Sequence, residues 1–157
     1  MKEVAYKGLV RHIIECESSD SSDIGLQEEL ESVQKRAARF VTGNYLYETG
    51  SMTSILGQLK WESLKKRRKD SRLILLYKGL KGKARFPVDD LIPKTRLARN
   101  QHFMVFQLPS ASIDAYKCSF FPQTIKDWNN LPSSLIVSSE DSKDCVAKFA
   151  SLVRALD

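Results

Sequence analysis

Basic side chains in one short run carry the clearest chemical signal in this sequence. The run Lys65-Lys66-Arg67-Arg68-Lys69 is followed by Arg72 about one helical turn later. On a helix, such a run covers more than a full turn, so the charges repel one another unless counter-ions or phosphates lie close. Release of counter-ions favours binding to nucleic acid. Three interpretations stay open: contact with phosphates, a nuclear-import signal, or a solvated helix face.

Aromatic residues flank this run on the same predicted helix. Trp61 precedes the cations and Tyr77 follows them. An aromatic ring beside guanidinium groups is a combination that single-stranded RNA platforms use for base stacking. Leu64 shares the predicted face of Trp61, however, and this favours a core position for the tryptophan.

A second group of cations lies upstream, beside the apolar stripe of another helix. These residues either extend the basic surface or are ordinary exposed helix residues. The predicted contacts to RNA or single-stranded DNA combine both groups: Lys65, Lys66, Arg67, Arg68, Lys69, Arg72, Lys35, Arg36 and Arg39.

The residue pattern gives little support for a catalytic site or a metal site. Asp89-Asp90 follows Pro87-Val88 and has no recognisable third ligand, which is typical of a solvated loop. His12 and Cys16 lie at i, i+4 on one helix face, but a zinc site needs four ligands, so ordinary packing is favoured. We therefore expect no catalytic residue, no metal, no cofactor and no small-molecule substrate.

The composition is that of a globular chain of 157 residues with a net charge of +6. No apolar run approaches the roughly 18 residues of a membrane helix, and the first residues do not open a secretory signal. The cysteines have no close spacing, which fits a reducing compartment. These features predict a soluble, intracellular protein of the nucleus or cytoplasm with no membrane partner. The positive charge concentrates between Lys60 and Arg99.

Apolar periodicity predicts helices in the first half of the chain. A first helix covers residues 3–16. A second carries an apolar stripe with Asp23 as its N-cap and Gly43 just past its end. A short helix begins at Ser51, and a longer one runs from Trp61 to Lys81 with Gly82 ending it. The apolar positions of the first two helices are Val4, Leu9, Val10, Ile13, Ile14, Leu26, Leu30, Val33, Ala37, Phe40 and Val41.

Prolines bound a predicted helix in the second half. Pro122 suits a first helical turn, and Pro132 prevents continuation. We predict that two phenylalanines just before Pro122 and two apolar side chains between the prolines form a buried plug. A last helix is predicted from about Lys143 to Leu156, with Ser139 and Ser142 as candidate caps. The plug residues are Phe120, Phe121, Ile125 and Trp128.

The predicted fold is mainly α, a small helical bundle with a long basic, proline-containing loop and at most one short strand pair. The possible strand is His102–Leu108. The predicted segments are an N-terminal helix (1–17), an acidic serine-rich linker (18–24), a helical basic region (25–82), an extended loop (83–114) and a C-terminal helical region (115–157).

Several motifs resemble one family. They are FFPQTIKDWNNLP at Phe120–Pro132, DAYKCS at Asp114–Ser119, VQKRAARFVTG at Val33–Gly43, QLKWESL at Gln58–Leu64, and the pair Arg67-Arg68. Together they closely resemble the tail that follows the reverse transcriptase domain in jockey-like non-LTR (LINE-class) retrotransposon polyproteins. The resemblance covers nearly the whole chain.

The resemblance implies that the chain comes from the RNA-directed DNA polymerase of a mobile element. There it would follow the polymerase thumb and help to hold template RNA or target DNA during target-primed reverse transcription, with the missing polymerase domain as a partner. Family polymerases hold metal ions with an aromatic-x-Asp-Asp turn that this chain does not supply, so no enzyme activity is expected of it alone. The alternative is a helical remnant or protein-interaction module of a decayed element, since His12–Asp23 departs from the family pattern.

Overall fold

Helices make up the regular structure, in agreement with the predicted fold class. The computed structural model describes residues 1–16, 24–45, 47–85, 87–88, 90–96, 101–110, 112–140 and 144–156. The elements are α1 (Lys2–Ala5), a π-helical segment (Tyr6–Arg11), α2 (His12–Cys16), α3 (Ile24–Thr42), α4 (Ser51–Leu59), α5 (Leu64–Leu80), α6 (Asp114–Lys117), α7 (Phe120–Asn129), α8 (Ser133–Glu140) and α9 (Cys145–Arg154). The chain divides into two compact units, Met1–Arg68 and Lys69–Asp157. This division falls inside α5, and therefore inside the sequence segment 25–82.

The N-terminal helix forms as predicted but buries a different face. Tyr6 is buried, whereas Val4, Leu9 and Ile13 from the predicted apolar stripe are exposed. The π-helical segment accounts for Leu9 and Ile13, because its wider turn shifts the following side chains out of the 3.6-residue repeat. Of the predicted acidic linker, residues 18–23 lie outside the described part of the chain, and Ile24 opens α3.

Helix α3 ends where the sequence predicted. Gly43 follows it in a left-handed conformation with φ of 70°, and its N–H donates to the Arg39 carbonyl at 2.8 Å. The most buried positions are Gln34 and Ala38, one residue along from the predicted stripe. Gln34 can be buried because its amide donates to the Glu62 carbonyl at 2.8 Å. The proposed N-cap, Asp23, lies outside the described residues.

A small core holds the first unit together. It consists of Tyr6, Ala38, Ile55 and Trp61. The rings of Tyr6 and Trp61 stack with their centroids 4.6 Å apart, and the indole Nε1 of Trp61 donates to Glu3 at 3.4 Å. Trp61 is therefore a core residue, as its spacing from Leu64 favoured.

Helix α5 is shorter than the helix predicted for Trp61–Lys81. Lys60 has a left-handed backbone with φ of 52° and ends α4, so Trp61–Ser63 connect the two helices in a non-helical conformation. The carboxylate of Glu31 accepts the N–H of Lys65 at 3.2 Å, near the start of α5. Gly82 follows the end of α5 with φ of 67°, as expected.

The predicted loop 83–114 is irregular in its described residues. Instead of a strand at His102–Leu108, a single antiparallel bridge joins Pro93 and Phe106. Two backbone hydrogen bonds of 2.8 Å flank the bridge, from Lys94 to Val105 and from Gln107 to Ile92. Pro93 has no N–H to donate, which limits how far this pairing can extend.

Helix α7 carries the predicted plug. Trp128 and Ile125 are buried, Phe120 and Phe121 are partly buried, and Pro122 lies in the first turn. The plug packs into the core of the second unit: Leu73, Leu76, Tyr77, Leu91, Phe106, Ile125, Trp128, Leu131, Leu135, Ile136, Phe149 and Val153.

Two features of the C-terminal region differ from expectation. Helix α8 begins directly after Pro132, where no helix was predicted. Asp144, rather than either proposed serine, caps α9, and its carboxylate accepts the Ala147 N–H at 3.3 Å. Ser139 is instead buried in α8, with its hydroxyl 3.1 Å from that of Tyr77, and Ser142 lies outside the described residues.

Candidate nucleic-acid interface

Arg67 and Arg68 are held by the N-terminal helix of their own unit. Arg67 forms two contacts with the carboxylate of Glu15, at 2.8 and 3.1 Å. Arg68 is 4% exposed, and its guanidinium donates to the carbonyl of Ile14 at 3.0 Å. Ile14 and Glu15 both lie in the last turn of α2, where free backbone carbonyls such as that of Ile14 and the helix dipole favour cations. These two predicted binding residues therefore stabilise the C-terminal end of α2.

Arg72 also contacts side chains inside the protein. In the second unit its side chain is 3% exposed and contacts Asp127 at 3.2 Å and Gln123 at 3.4 Å. Both partners lie on α7, so Arg72 joins α5 to α7. A phosphate could reach it only after this contact opened.

The lysines of the run differ from its arginines. Lys66 pairs with Glu62 at 3.1 Å, four residues earlier, and is partly buried. Lys65 and Lys69 are exposed. Of the six predicted cluster residues, Lys65 and Lys69 therefore present exposed ammonium groups to a partner.

One of the upstream cations lines a cavity together with residues of the basic run. Lys35 lines a cavity of about 470 Å³ in the first unit together with Lys65 and Arg68. Glu28 and Glu31 line the same cavity, so its charge is nearly balanced. A cavity of this kind offers little net attraction to a polyanion.

Arg36 and Arg39 are placed differently from Lys35. Arg36 is exposed and donates to the hydroxyl of Ser32 at 3.1 Å, and Arg39 lies over the ring of Tyr47 at 4.0 Å. Of the nine predicted contact residues, Arg68 and Arg72 are buried, so the nine do not all lie at the surface.

The excess positive charge belongs to the second unit. Residues 69–157 contain fourteen Lys and Arg against nine Asp and Glu, whereas residues 1–68 contain eleven against ten. Four acidic side chains of the second unit are exposed among its described residues: Asp90, Asp114, Glu140 and Asp144. Ten basic side chains are exposed in the same residues: Lys69, Lys78, Lys83, Arg85, Lys94, Arg96, Lys117, Lys126, Lys148 and Arg154.

Some of these cations have nearby carboxylates. Lys117 pairs with Asp114 at 2.7 Å, and Lys83 lies 3.7 Å from Asp144. Exposed pairs of this kind contribute little energy and are readily exchanged for other partners. The surface of the second unit therefore carries a net excess of accessible cations. Six of the ten lie in the basic stretch Lys60–Arg99, but only Lys69 is among the predicted contact residues.

The residues at the end of α7 attach the backbone of residues 104–106 to this helix. The indole Nε1 of Trp128 donates to the Met104 carbonyl at 2.6 Å. The amide of Asn129 accepts from the Phe106 N–H at 3.0 Å and donates to the Phe106 carbonyl at 2.8 Å. These bonds fix the backbone of residues 104–106 against α7.

His102 completes this attachment. It is 1% exposed, its Nε2–H donates to the Trp128 carbonyl at 2.9 Å, and its Nδ1 accepts the Met104 N–H at 3.2 Å. Burial lowers the pKa of His102 below its ordinary value, although the Trp128 carbonyl partly opposes this. With both nitrogens used in this way, the ring is neutral.

The described residues also bear on metal binding and on membrane helices. They contain no group of three metal-ligating side chains, and no helix among them is long and apolar enough to cross a membrane. Asp90 is exposed, and Asp89 lies outside the described part of the chain. The backbone of His12 and Cys16 lies in α2, but their side chains are likewise outside it.

Comparison with known proteins gives no match. No family model, no curated protein and no solved structure matches this chain.

Proposed function

We propose that this chain is the C-terminal segment of a jockey-like non-LTR retrotransposon polyprotein and binds RNA or single-stranded DNA without sequence preference. Two observations support the proposal. The motifs at Val33–Gly43, Gln58–Leu64 and Phe120–Pro132 resemble that family. The second unit exposes ten basic side chains against four acidic ones in its described residues. In this proposal the chain does not polymerise nucleotides itself, and it serves the polymerase as a tail that holds template RNA or target DNA.

The excess of exposed cations on the second unit is the observation that carries the binding proposal. Cations that neutralise phosphates release condensed counter-ions, and this release drives binding irrespective of sequence. Arg67, Arg68 and Arg72 have protein partners, so we assign them to folding. Lys69 remains the member of the predicted cluster that we propose for phosphate contact.

A titration with two matched pairs of substitutions tests this assignment. Labelled single-stranded RNA is titrated with the wild type, with Lys69→Gln plus Lys126→Gln, and with Lys7→Gln plus Lys60→Gln. Each double variant removes two exposed lysines, but from different units. We expect the first variant to lower the slope of log affinity against log salt by about 1.4, at about 0.7 per phosphate contact on a single strand. An equal loss in both variants would show that the charge of the whole chain, not the second unit, attracts the RNA.

A protein-interaction module of a decayed element is the second candidate, and the first unit favours it. Val4, Leu9 and Ile13 on the N-terminal helix are exposed, although apolar side chains usually contribute to a core or an interface. The resemblance suggests the polymerase domain as the partner. If the chain is such a module, it would not bind RNA at physiological salt. Substitution of Leu9 and Ile13 by Ser would then reduce its association with the polymerase domain.

A further inference from the structure

We propose that Phe103, together with Lys94 and Arg96 on the segment that pairs with residues 105–106, is a base-stacking site for single-stranded nucleic acid. The proposal rests on the function proposed above and adds a contact to the bases. The cations described so far can reach only phosphates, whereas an exposed aromatic ring can stack on any base without reading its sequence.

Phe103 is an exposed ring on a fixed backbone. Its side chain is 56% exposed, although the residues on either side are anchored. His102 is attached to Trp128 through the bond of 2.9 Å, and the Met104 carbonyl accepts the Trp128 indole at 2.6 Å. Because the backbone is already ordered, stacking would cost little conformational entropy.

Basic residues lie on the chain segment that pairs with residues 105–106, close in sequence to Phe103. The Pro93–Phe106 bridge and the bond of 2.8 Å from Lys94 to Val105 bring residues 93–94 alongside residues 105–106. Arg96 follows two residues later, and both Lys94 and Arg96 are exposed. Cations on this neighbouring segment can contact the phosphates that flank a stacked base.

Single-stranded nucleic acid is the partner that these features favour. The second unit has an excess of accessible cations, and the Phe103 ring presents a planar face. An exposed phenylalanine on a unit with an excess of exposed cations also suits an anionic membrane surface, where any large apolar side chain would serve. A leucine in place of Phe103 separates the two, because it keeps the apolar character but has no planar face for stacking.

The experiment uses single-stranded oligodeoxynucleotides that contain 2-aminopurine, whose fluorescence reports stacking, with affinity measured by anisotropy. We expect Phe103→Leu and Phe103→Ala each to weaken binding about tenfold and to abolish the fluorescence change. Phe103→Tyr keeps the planar ring and should bind like the wild type. Leu108→Ala is the matched control, because Leu108 is 54% exposed in the same unit, and it should leave both signals unchanged.

Each remaining outcome has a definite meaning. If Phe103→Leu binds like the wild type while affinity stays salt-dependent, the stacking site is wrong and the proposed function stands. If Leu108→Ala weakens binding as much as Phe103→Leu does, a general apolar contact replaces stacking. If Phe103→Leu instead loses binding to vesicles of phosphatidylserine and phosphatidylcholine but keeps oligonucleotide binding, the site serves a membrane. If the wild type binds no oligonucleotide, both proposals fail.

Discussion

Arg68 and Lys69 are adjacent in the sequence, but the structure gives them opposite surroundings. Arg68 is buried and donates to the Ile14 carbonyl, whereas Lys69 is exposed. We predict that Arg68→Gln lowers the free energy of unfolding by about 2 kcal/mol, the range for a hydrogen bond from a charged group. Lys69→Gln should change it by less than about 0.5 kcal/mol. Urea denaturation measures both values, and equal values would show that Arg68 is not held as described.

Trp128 is the residue on which the second core depends most. It is 0% exposed and its ring lies 5.7 Å from that of Phe149 and 5.6 Å from that of His102. Trp128→Ala should destabilise the protein by about 3–5 kcal/mol, as truncations of buried aromatic residues do. Phe103→Ala is the control, because that ring is exposed and its removal should shift the unfolding midpoint little. A midpoint for Trp128→Ala within error of the wild type would contradict the core assignment.

His102 makes stability depend on pH. Burial lowers its pKa in the folded state, so the unfolded chain binds a proton more readily, with an ordinary pKa of about 6.5. Its contribution to stability is therefore fully present above about pH 6.5 and is lost as the pH falls toward the folded pKa. Thermal unfolding from about pH 8 to 5 should show this loss in the wild type but not in His102→Gln. Substitution of His12, the other histidine, should leave the loss in place.

At the scale of elements, α7 organises the loop through the two residues at its end. Asn129 supplies two hydrogen bonds to the Phe106 backbone. We predict that Asn129→Ala costs about 2 kcal/mol, because it leaves a backbone N–H and a carbonyl without their partner. Asn130→Ala is the neighbouring control, since Asn130 is exposed. Hydrogen exchange at the Phe106 amide should accelerate in Asn129→Ala only, and unchanged exchange would contradict the role given to Asn129.

The elements differ in how far local sequence determines them. Helices α3 and α4 were predicted well, because apolar periodicity and the glycine after α3 are local signals. Helix α8 was missed because its sequence, SSLIVSSE, is rich in serine and β-branched residues of modest helix propensity. It forms because Leu135 and Ile136 pack into the core of the second unit. The prediction of which face of the N-terminal helix is buried was wrong, because the π-helical segment breaks the helical periodicity.

At the scale of the whole molecule, the sequence showed the basic run but not the protein partners of its arginines. The partners of its arginines, Glu15, Ile14 and Asp127, are about fifty residues away along the chain. Contacts over such separations depend on tertiary packing, which periodicity and propensity do not encode. The accessible charge lies instead in residues scattered over the second unit, which no single motif marks.

The most direct test of the account is the salt dependence of RNA affinity. A labelled single-stranded RNA is titrated with the full chain between about 50 and 200 mM salt. If at least three phosphates are contacted, log affinity should fall against log salt with a slope of about −2 or steeper. A flat response, or no binding at the lowest salt, would contradict a role of the exposed cations in holding nucleic acid.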